Sequence, residues 1–303
     1  MITIVGPTGV GKSNLSVLLA QKMLGEIINA DSRQIYVGMD IGTAKPKSDM
    51  FEIVPHYLFD IVDPDEDFSV YDFSQIAKST IDKINLKGRV PILVGGTGQY
   101  IWSLLENWEH EKGTFDVAMR KDLERRLQSE GLESLVTELT IKDPETASLI
   151  DIKNSRRVIR AIEKIALGHE GYTPRKKNNF LRDDCLLIGI TCPRDDLYAK
   201  VDERVDVMFE EGWIEEIETL NRNGYDTNLS AMSSIGYQEI SFLLRSEITI
   251  EECKTRIYSR THKLIRSQYN WFKMDDPRIN WFDISFFSEE DIIDEIIELY
   301  DQI

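Results

Sequence analysis

A glycine-rich loop between an apolar run and a helical stretch constrains this chain more than any other feature. The loop matches the pattern GxxxxGK[ST] and directly follows the apolar residues 2–5. In this order of strand, loop and helix, backbone N–H groups and a helix N-terminus converge on one anion. The pattern therefore predicts that the loop binds a diphosphate group. Its residues are Gly6, Pro7, Thr8, Gly9, Val10, Gly11, Lys12 and Ser13.

Composition limits the class of protein. A chain of 303 residues with 42% hydrophobic residues is long enough for one large domain or two smaller ones. No apolar run approaches the roughly twenty residues of a membrane helix, and a strand that begins at residue 2 leaves no room for a signal peptide. Cys185, Cys192 and Cys253 form no CxxC pair, and the histidines form no ligand-spaced cluster. We therefore expect a cytoplasmic protein with reduced thiols, no structural zinc and no membrane partner.

Short apolar runs alternate with helical patterns, which is typical of buried parallel strands. The runs lie at residues 2–5, 26–29, about 57–62, 90–94 and 186–191. The sequence thus predicts an α/β fold, a P-loop-containing parallel sheet flanked by helices, with an inserted helical subdomain and a helical C-terminal part. Residues 1–107 form the first part of the core, residues 108–180 the insertion, and residues 181–303 the last core strand and C-terminal helices. Helices are predicted at 119–130, 132–140, 144–150, 155–167, 195–222, 234–245, 250–273 and 289–302.

The chain is acidic overall, but two of its segments are basic. A net charge of −17 argues against a polyanionic partner, yet residues 153–182 carry +7 and residues 254–273 carry +6. Arg156, Arg160 and Lys164 recur at helical spacing in the first segment. Either segment alone is equally typical of a solvated helix and of a nucleic-acid contact. In the second, one face carries Arg256, Arg260, Lys263 and Arg266, and the predicted opposite face carries Ile257, Thr261, Leu264, Ile265, Gln268 and Phe272.

An acidic residue follows the second strand rather than the strand at 90–94. P-loop kinases need a carboxylate that organises Mg²⁺, but residues 90–94 are followed by Gly95 and Gly96. Asp31 instead comes directly after residues 26–29, together with Ser32, Arg33 and Gln34. An aspartate at this position can simply cap a helix. The dense polar group favours chemistry, so we expect Asp31 to face the site at the carboxyl edge of the sheet.

With these motifs the chain resembles the tRNA dimethylallyltransferases, over nearly its whole length up to about Asp283. The resemblance implies transfer of a dimethylallyl group from dimethylallyl diphosphate to N6 of adenosine 37 in tRNAs that read codons beginning with U, with release of diphosphate. It also implies Mg²⁺ as cofactor, a monomer, and a loop that holds a prenyl diphosphate and not ATP. The matching segments are GPTGVGKS, DSRQIY, GTAKP, PHYLFDIVDPDEDFSV, GGTGQY, the stretches 118–120 and 154–161, the helix of Arg204, and QYNWF at 268–272.

The resemblance also implies roles for individual residues. Asp31 is the expected base, with Thr8 and Arg204 as further catalytic residues, and residues 6–13 bind the diphosphate while Ser13 binds the metal. The tRNA contacts implied are Asp31, Ser32, Arg33, Gln34, Thr97, Arg120, Arg156, Arg157, Val158, Ile159 and Arg160.

The chain departs from the family pattern at a few positions. Gln99 replaces the usual leucine after GGTG, which puts the shape of the prenyl pocket in doubt, and Tyr57 replaces a second histidine beside His56, which we interpret as structural. His262 and Ser267 stand where basic residues are expected, so phosphate affinity there should be weaker. No zinc-finger extension follows Asp283, as expected for a compact bacterial form.

Three other classes of protein share some of these sequence features and remain as alternatives. A small-molecule or nucleotide kinase explains the loop and sheet but not GGTGQY, DSRQ or the basic segments. An adenylate isopentenyltransferase would act on free AMP and would not need the basic helical part. A non-catalytic P-loop binding protein would tolerate the loss of Asp31.

Overall fold

The computed structural model describes residues 1–108, 117–168 and 184–302. The predicted boundary at residue 180 and the end of the basic segment 153–182, with Arg175, Lys176, Lys177 and Arg182, lie outside the described residues. Contacts divide the chain into two compact units, residues 1–109 with 180–303, and residues 110–179.

The first unit contains a six-stranded sheet whose described strands all pair in parallel. The strand order β3-β2-β4-β1-β5-β6 places the glycine loop, which follows β1, near the middle of the sheet. The predicted fold class, a parallel α/β sheet flanked by helices, is confirmed. The strands are β1 Ile2–Val5, β2 Gly25–Asn29, β3 His56–Tyr57, β4 Val90–Val94, β5 Leu186–Thr191 and β6 Asn280–Asp283.

Helices connect the strands and form the second unit. In chain order the described helices are α1 Lys12–Met23, α2 Ser48–Ile53, α3 Val70–Leu86, α4 Gly98–Leu105, α5 Val117–Glu130, α6 Leu132–Lys142, α7 Pro144–Leu149, α8 Ser155–Ala166, α9 Arg194–Glu210, α10 Trp213–Arg222, α11 Tyr237–Leu244, α12 Ile250–Trp271 and α13 Glu289–Tyr300, with a 3₁₀ turn at Ala231–Ser233.

Both faces of the sheet are covered. One face buries β-strand residues such as Ile188 against α1, α9 and α13, and the other buries Leu93 against α3 and α4. A third cluster, centred on Trp213 and Tyr237, joins α10 and α11 to the first half of α12. Fully burying each large apolar side chain contributes about 1.5–3 kcal/mol, so these clusters hold the loops at the carboxyl edge on a rigid base.

Three elements differ from the prediction. β6 was not predicted, because the mixed segment Asn280–Asp283 forms an edge strand that buries only Phe282. The strand expected at 57–62 pairs only at His56–Tyr57, with an isolated bridge from Tyr36 to Val62. The helix expected at 195–222 is broken by Gly212, whose φ of 99° starts α10 in a new direction. Leu264, expected to face inward, is exposed.

The second unit is a bundle of α5, α6, α7 and α8 around its own apolar core. α8 begins after Asn154, whose side-chain oxygen accepts a hydrogen bond from the Arg157 N–H. Val158 and Ile159 are 0% and 5% exposed and pack in this core. Their side chains therefore face the bundle interior, while Arg156 and Arg157 are exposed.

Candidate functional site

A cavity of about 390 Å³ lies at the carboxyl edge of the sheet, where β1, β2 and β4 end. Sequence positions far apart meet here, because parallel strands present their carboxyl ends on one side. The predicted residues that line the cavity are Thr8, Gly9, Gly11, Lys12, Ser13, Asp31, Gln34 and Arg204.

The glycine loop leads directly into the first turn of α1. Gly11 is the N-cap residue and forms no side-chain cap hydrogen bond, so no side chain of the cap covers the first amides of the helix. Lys12 and Ser13 belong to this turn and line the cavity. The N-terminal end of a helix favours negative charge, and an anion here would meet both the amides and the helix dipole.

Two partly buried cations of the cavity form no ion pair with a carboxylate of the described residues. The Lys12 Nζ donates to the carbonyl of Pro7 at 2.7 Å, and within the described part of the chain neither Lys12 nor Arg204 forms an ion pair. Burial lowers the pKa of Lys12 to about 8, opposed by the charge of Asp31 and reinforced by that of Arg204. Burial likewise lowers the pKa of Arg204, again opposed by Asp31. The cavity therefore holds concentrated positive charge that an anion would stabilise.

Hydrogen bonds to neighbouring residues position Asp31, and they use only one of its two carboxylate oxygens among the described contacts. Its Oδ1 accepts from the Arg33 N–H at 2.8 Å, and its own N–H donates to Oδ1 of Asn29 at 2.9 Å. Asn29 is fixed in turn by donating to the carbonyl of Leu58 at 2.9 Å. No hydrogen bond to Oδ2 of Asp31 occurs among the described residues, which leaves this oxygen available to a substrate.

The predicted residues beside Asp31 tie loops together. The Ser32 N–H donates to Oγ1 of Thr97 at 2.9 Å, and this hydroxyl donates to Oγ of Ser32 at 3.3 Å. The Arg33 guanidinium donates to the carbonyl of Ser230 at 3.0 Å. Gln34 donates to the carbonyls of residues 43 and 44, each at 3.0 Å. Gln34 lines the cavity, whereas Ser32, Arg33 and Thr97 do not.

The sequence analysis did not assign Lys200 or Gln268 to the site, although both line the cavity. Lys200 lies one helical turn before Arg204 on α9. This four-residue spacing indicates that the two side chains share one face of the helix. Gln268 is 5% exposed and was predicted on the inward face of α12. A glutamine on an apolar face is the signal that a buried hydrogen-bonding partner exists, although the sequence does not identify that partner.

The predicted cations of the second unit differ in their pairing. Arg120 donates to both carboxylate oxygens of Glu163, at 2.5 and 2.6 Å, and Arg160 donates to the same carboxylate at 3.2 Å. Arg156 and Arg157 form no ion pair with any described residue. Val158 and Ile159 offer no side chain to a partner, so a contact through them is restricted to the backbone.

The departures from the family pattern have structural explanations. Gln99 is exposed and does not line the cavity, so its polarity does not alter the cavity wall. His56 does line the cavity, and burial lowers its pKa. The Tyr57 hydroxyl donates to Glu26 at 2.8 Å. His262 stacks on Tyr198 with ring centroids 4.0 Å apart.

The cavity offers few protein ligands for a metal ion such as Mg²⁺. No group of three or more His, Cys, Asp or Glu side chains that could hold a metal occurs in the described ranges. Ser13 offers one hydroxyl oxygen at the cavity wall. Mg²⁺ commonly keeps several waters and binds through substrate phosphates, so one hydroxyl beside a diphosphate site fits it. In residues 1–108, 117–168 and 184–302, no helix is long and apolar enough to cross a membrane.

The fold and site define a parallel α/β protein with a glycine loop and a cavity in which Lys12 and Arg204 are unpaired among the described residues and Asp31 lies at the edge. The family model described as IPP transferase matches residues 34–275. The tRNA dimethylallyltransferase of Natranaerobius thermophilus is 37% identical over 302 residues, 99% of this chain and 91% of the relative. This chain therefore belongs to the IPP transferase family.

Solved structures agree with that membership. A crystal structure of the full-length tRNA isopentenylpyrophosphate transferase from Bacillus halodurans matches with a TM-score of 0.73 at 37% identity, covering 99% of this chain and 95% of that one. A eukaryotic dimethylallyltransferase described as acting on tRNA matches with a TM-score of 0.77 at 28% identity, covering 98% of this chain and 77% of that one. The sequence-based prediction of the family is confirmed.

Proposed function

We propose that this protein transfers the dimethylallyl group of dimethylallyl diphosphate to N6 of adenosine 37 in tRNAs that read codons beginning with U. The observation that carries the proposal is the cavity in which Lys12 and Arg204 form no ion pair among the described residues, while Asp31 lies at its edge. Family membership supports the reaction class. The cations supply a site for the leaving diphosphate, and the carboxylate supplies a proton acceptor.

The diphosphate leaves as the allylic C–O bond breaks. Positive charge then spreads over the allyl unit and negative charge grows on the diphosphate, so stabilising the leaving group lowers the barrier most. Lys12, Arg204 and the first amides of α1 are the proposed donors, with Thr8 contributing its hydroxyl. When bound, Mg²⁺ would add further charge neutralisation, with Ser13 as its protein ligand.

Asp31 is the proposed base. The exocyclic amine of adenine is too weak an acid to be deprotonated beforehand, but it becomes strongly acidic as the new C–N bond forms. The free Oδ2 of Asp31 can accept that proton, while the Arg33 N–H holds Oδ1 in place. The bond formed is N6–C1, the bond broken is C1–O, and the proton moves from N6 to the carboxylate.

The tRNA must present its adenosine in an extruded state. Turning a stacked base out costs a few kcal/mol, which contacts to the surrounding loop offset. Ser32, Arg33, Gln34 and Thr97 are the proposed contacts near Asp31, and Arg120, Arg156, Arg157 and Arg160 in the second unit are proposed to bind the RNA. For Val158 and Ile159 only backbone contacts are proposed.

The proposal extends to oligomeric state, location in the cell and domain division. We propose a monomer that works in the cytoplasm, where its tRNA substrate is found. The division at residues 107 and 180 into core, insertion and C-terminal part is retained, with the insertion as the tRNA-binding subdomain.

A transfer assay tests the proposed function. Purified protein and Mg²⁺ are incubated with labelled dimethylallyl diphosphate and an unmodified tRNA that carries adenosines at positions 36 to 38, beside a tRNA in which position 37 alone is replaced. We expect label in the first RNA only. Free AMP and ATP with small-molecule acceptors serve as parallel substrates.

Other outcomes identify the alternatives. Label on free AMP without RNA would indicate an adenylate isopentenyltransferase. Consumption of ATP without prenyl transfer would indicate a kinase. Folded protein that binds tRNA but transfers nothing would contradict the proposal.

A further inference from the structure

We infer that Gln268 is a positioning residue that orients the Pro7–Thr8 peptide and, through it, the ammonium group of Lys12. The inference rests on the proposed function, because it concerns how the same cavity receives a diphosphate. It extends that function to a residue on α12, some 260 positions from the glycine loop in the chain.

Both ends of the Gln268 side-chain amide are occupied. Its Oε1 accepts from the Thr8 N–H at 2.8 Å, and its Nε2 donates to the carbonyl of Gly96 at 3.3 Å. These two contacts require opposite ends of the amide, so its orientation is unique. Gln268 thereby joins the loop after β1 to the loop after β4.

The contact to Thr8 determines the direction of a carbonyl. In a trans peptide the N–H and the C=O point in opposite directions, so fixing the Thr8 N–H also fixes the carbonyl of Pro7. That carbonyl accepts from the Lys12 Nζ at 2.7 Å. A continuous chain of hydrogen bonds thus runs from Gly96 through Gln268 and one peptide group to the Lys12 ammonium. Such chains polarise and strengthen one another.

The Lys12 ammonium keeps capacity for an anion. It has three hydrogens, and the Pro7 carbonyl takes one, so two remain for diphosphate oxygens. If the peptide rotated, the ammonium would lose this fixed acceptor and its position. Gln268 therefore acts on the diphosphate through Lys12.

The surroundings leave Gln268 little freedom. A Cβ atom at Gly96 would lie 2.2 Å from its Nε2, so glycine is required for the loop to approach this closely. The following residue, Tyr269, shares a hydrogen bond of 2.8 Å with Thr191 at the end of β5. The last turn of α12 is thus seated on the carboxyl edge, and Gln268 is the residue of that turn that reaches the glycine loop.

Two substitutions separate positioning from general stability. Gln268→Leu removes both hydrogen bonds, and we expect roughly tenfold weaker binding of inorganic diphosphate with Mg²⁺ at neutral pH, because the Thr8 N–H loses its acceptor. Gln268→Glu keeps an acceptor but loses the donor and adds a negative charge near the anion. Its defect relative to wild type should shrink as the pH falls, because a protonated carboxyl again donates and accepts.

The experiment measures calorimetric affinity for inorganic diphosphate against pH, for both variants and the wild type, with thermal unfolding as a check on folding. Lys12, Asp31 and Arg204 face the same cavity in every sample, so each variant is compared with wild type at the same pH. Tyr269→Phe is the matched control, since it removes a hydrogen bond from the same helical turn without touching the glycine loop. Its affinity should equal that of wild type.

The outcomes are distinct. Wild-type affinity in folded Gln268→Leu, a Gln268→Glu defect that is the same at every pH, or an equal defect in Tyr269→Phe would each overturn the inference and leave the proposed function standing. Wild-type protein that binds no diphosphate would overturn both.

Discussion

Two cations of the cavity, Lys12 and Arg204, and two cations of α12, Lys254 and Arg260, look alike in the sequence but differ in their partners. On α12, Arg260 pairs with the buried Glu239, and Lys254 lies 2.7 Å from Asp206. In the cavity, Lys12 and Arg204 have no such partner among the described residues. Paired cations hold elements of the fold together, whereas unpaired cations at a cavity retain their charge for a ligand. Charge counts alone do not reveal this difference.

The second unit contains both cations with an ion pair and cations that form none among the described residues. Arg120 and Arg160 share the carboxylate of Glu163, which is 3% exposed, while Arg156 and Arg157 are exposed without ion pairs to described residues. By the same reasoning, Arg120 contributes to the bundle as well as to any RNA contact. Among the described residues, Arg156 and Arg157 are two cations of this unit whose charge is free for phosphate groups.

The largest expected effect concerns Asp31, the carboxylate whose charge acts on both Lys12 and Arg204. If Asp31 acts as base, Asp31→Asn should lower kcat by about 10²–10⁴-fold while diphosphate affinity stays equal or rises, because one negative charge leaves the cavity. Single-turnover transfer and calorimetry measure the two quantities. A fall in thermal stability with little change in kcat would instead make Asp31 a structural partner like Glu239.

The next effect compares two arginines directly. Arg260→Met should lower the free energy of unfolding by about 2 kcal/mol, because Glu239 is left buried without its partner. Arg204→Met should leave stability unchanged or raised, and should weaken diphosphate binding about 10–100-fold, as expected for a charge-assisted contact. Denaturant unfolding and calorimetry on both variants check this reversal. The same pattern in both variants would contradict the claim that Arg260 stabilises the fold while Arg204 serves the ligand.

Binding should also depend on pH through Lys12. Burial holds its pKa at about 8 in the folded chain, below its ordinary 10.5, and a bound diphosphate raises it again. Binding then takes up a proton, so affinity should fall by up to about tenfold per pH unit as the pH rises above about 8. Calorimetry in buffers of different ionisation enthalpy measures the uptake. Lys12→Met should show no such uptake.

The same pKa shift has the opposite consequence for stability. Between about 8 and 10.5 the unfolded chain binds more protons at Lys12 than the folded chain, so ligand-free stability from this group rises with pH. Below about pH 8 the penalty of the buried charge is fully present. Unfolding of wild type and Lys12→Met against pH checks the sign.

The smallest effect lies on α8. Replacing Arg156 or Arg157 with alanine should weaken tRNA binding modestly and reduce the slope of log affinity against log salt by about 1 each, without loss of stability. Lys153→Ala, an exposed residue before α8, is a comparison for unspecific charge loss. An unchanged salt slope in all variants would show that this face does not contact RNA.

Much of the fold was predictable because local patterns specify it. Residues 2–5 and 90–94 are continuous apolar runs, and their burial on both faces leaves few other structures open to them. β6 was not predictable, since its residues are half polar and its strand exists only through pairing with β5. The break at Gly212 depends on how α10 packs around Trp213, a tertiary contact that helical periodicity does not contain.

The part of the site that was predictable consists of residues that belong to recognisable sequence motifs. Thr8, Gly9, Gly11, Lys12, Ser13, Asp31 and Arg204 meet at one cavity, as the loop pattern and the resemblance together imply. Gln268 was assigned to the correct face of α12, yet its partners Thr8 and Gly96 lie at the other end of the chain. Whether a given arginine is paired, as Arg120 is, also depends on a partner that only the fold brings near.

The most direct test of the account is equilibrium binding of dimethylallyl diphosphate with Mg²⁺ to wild type and to Lys12→Met. We predict one site per chain in the wild type and at least about 100-fold weaker binding in the variant, because a buried ammonium is removed from the anion. Equal binding by the two proteins, or none by the folded wild type, would contradict the claim that the unpaired cations of this cavity form the diphosphate site.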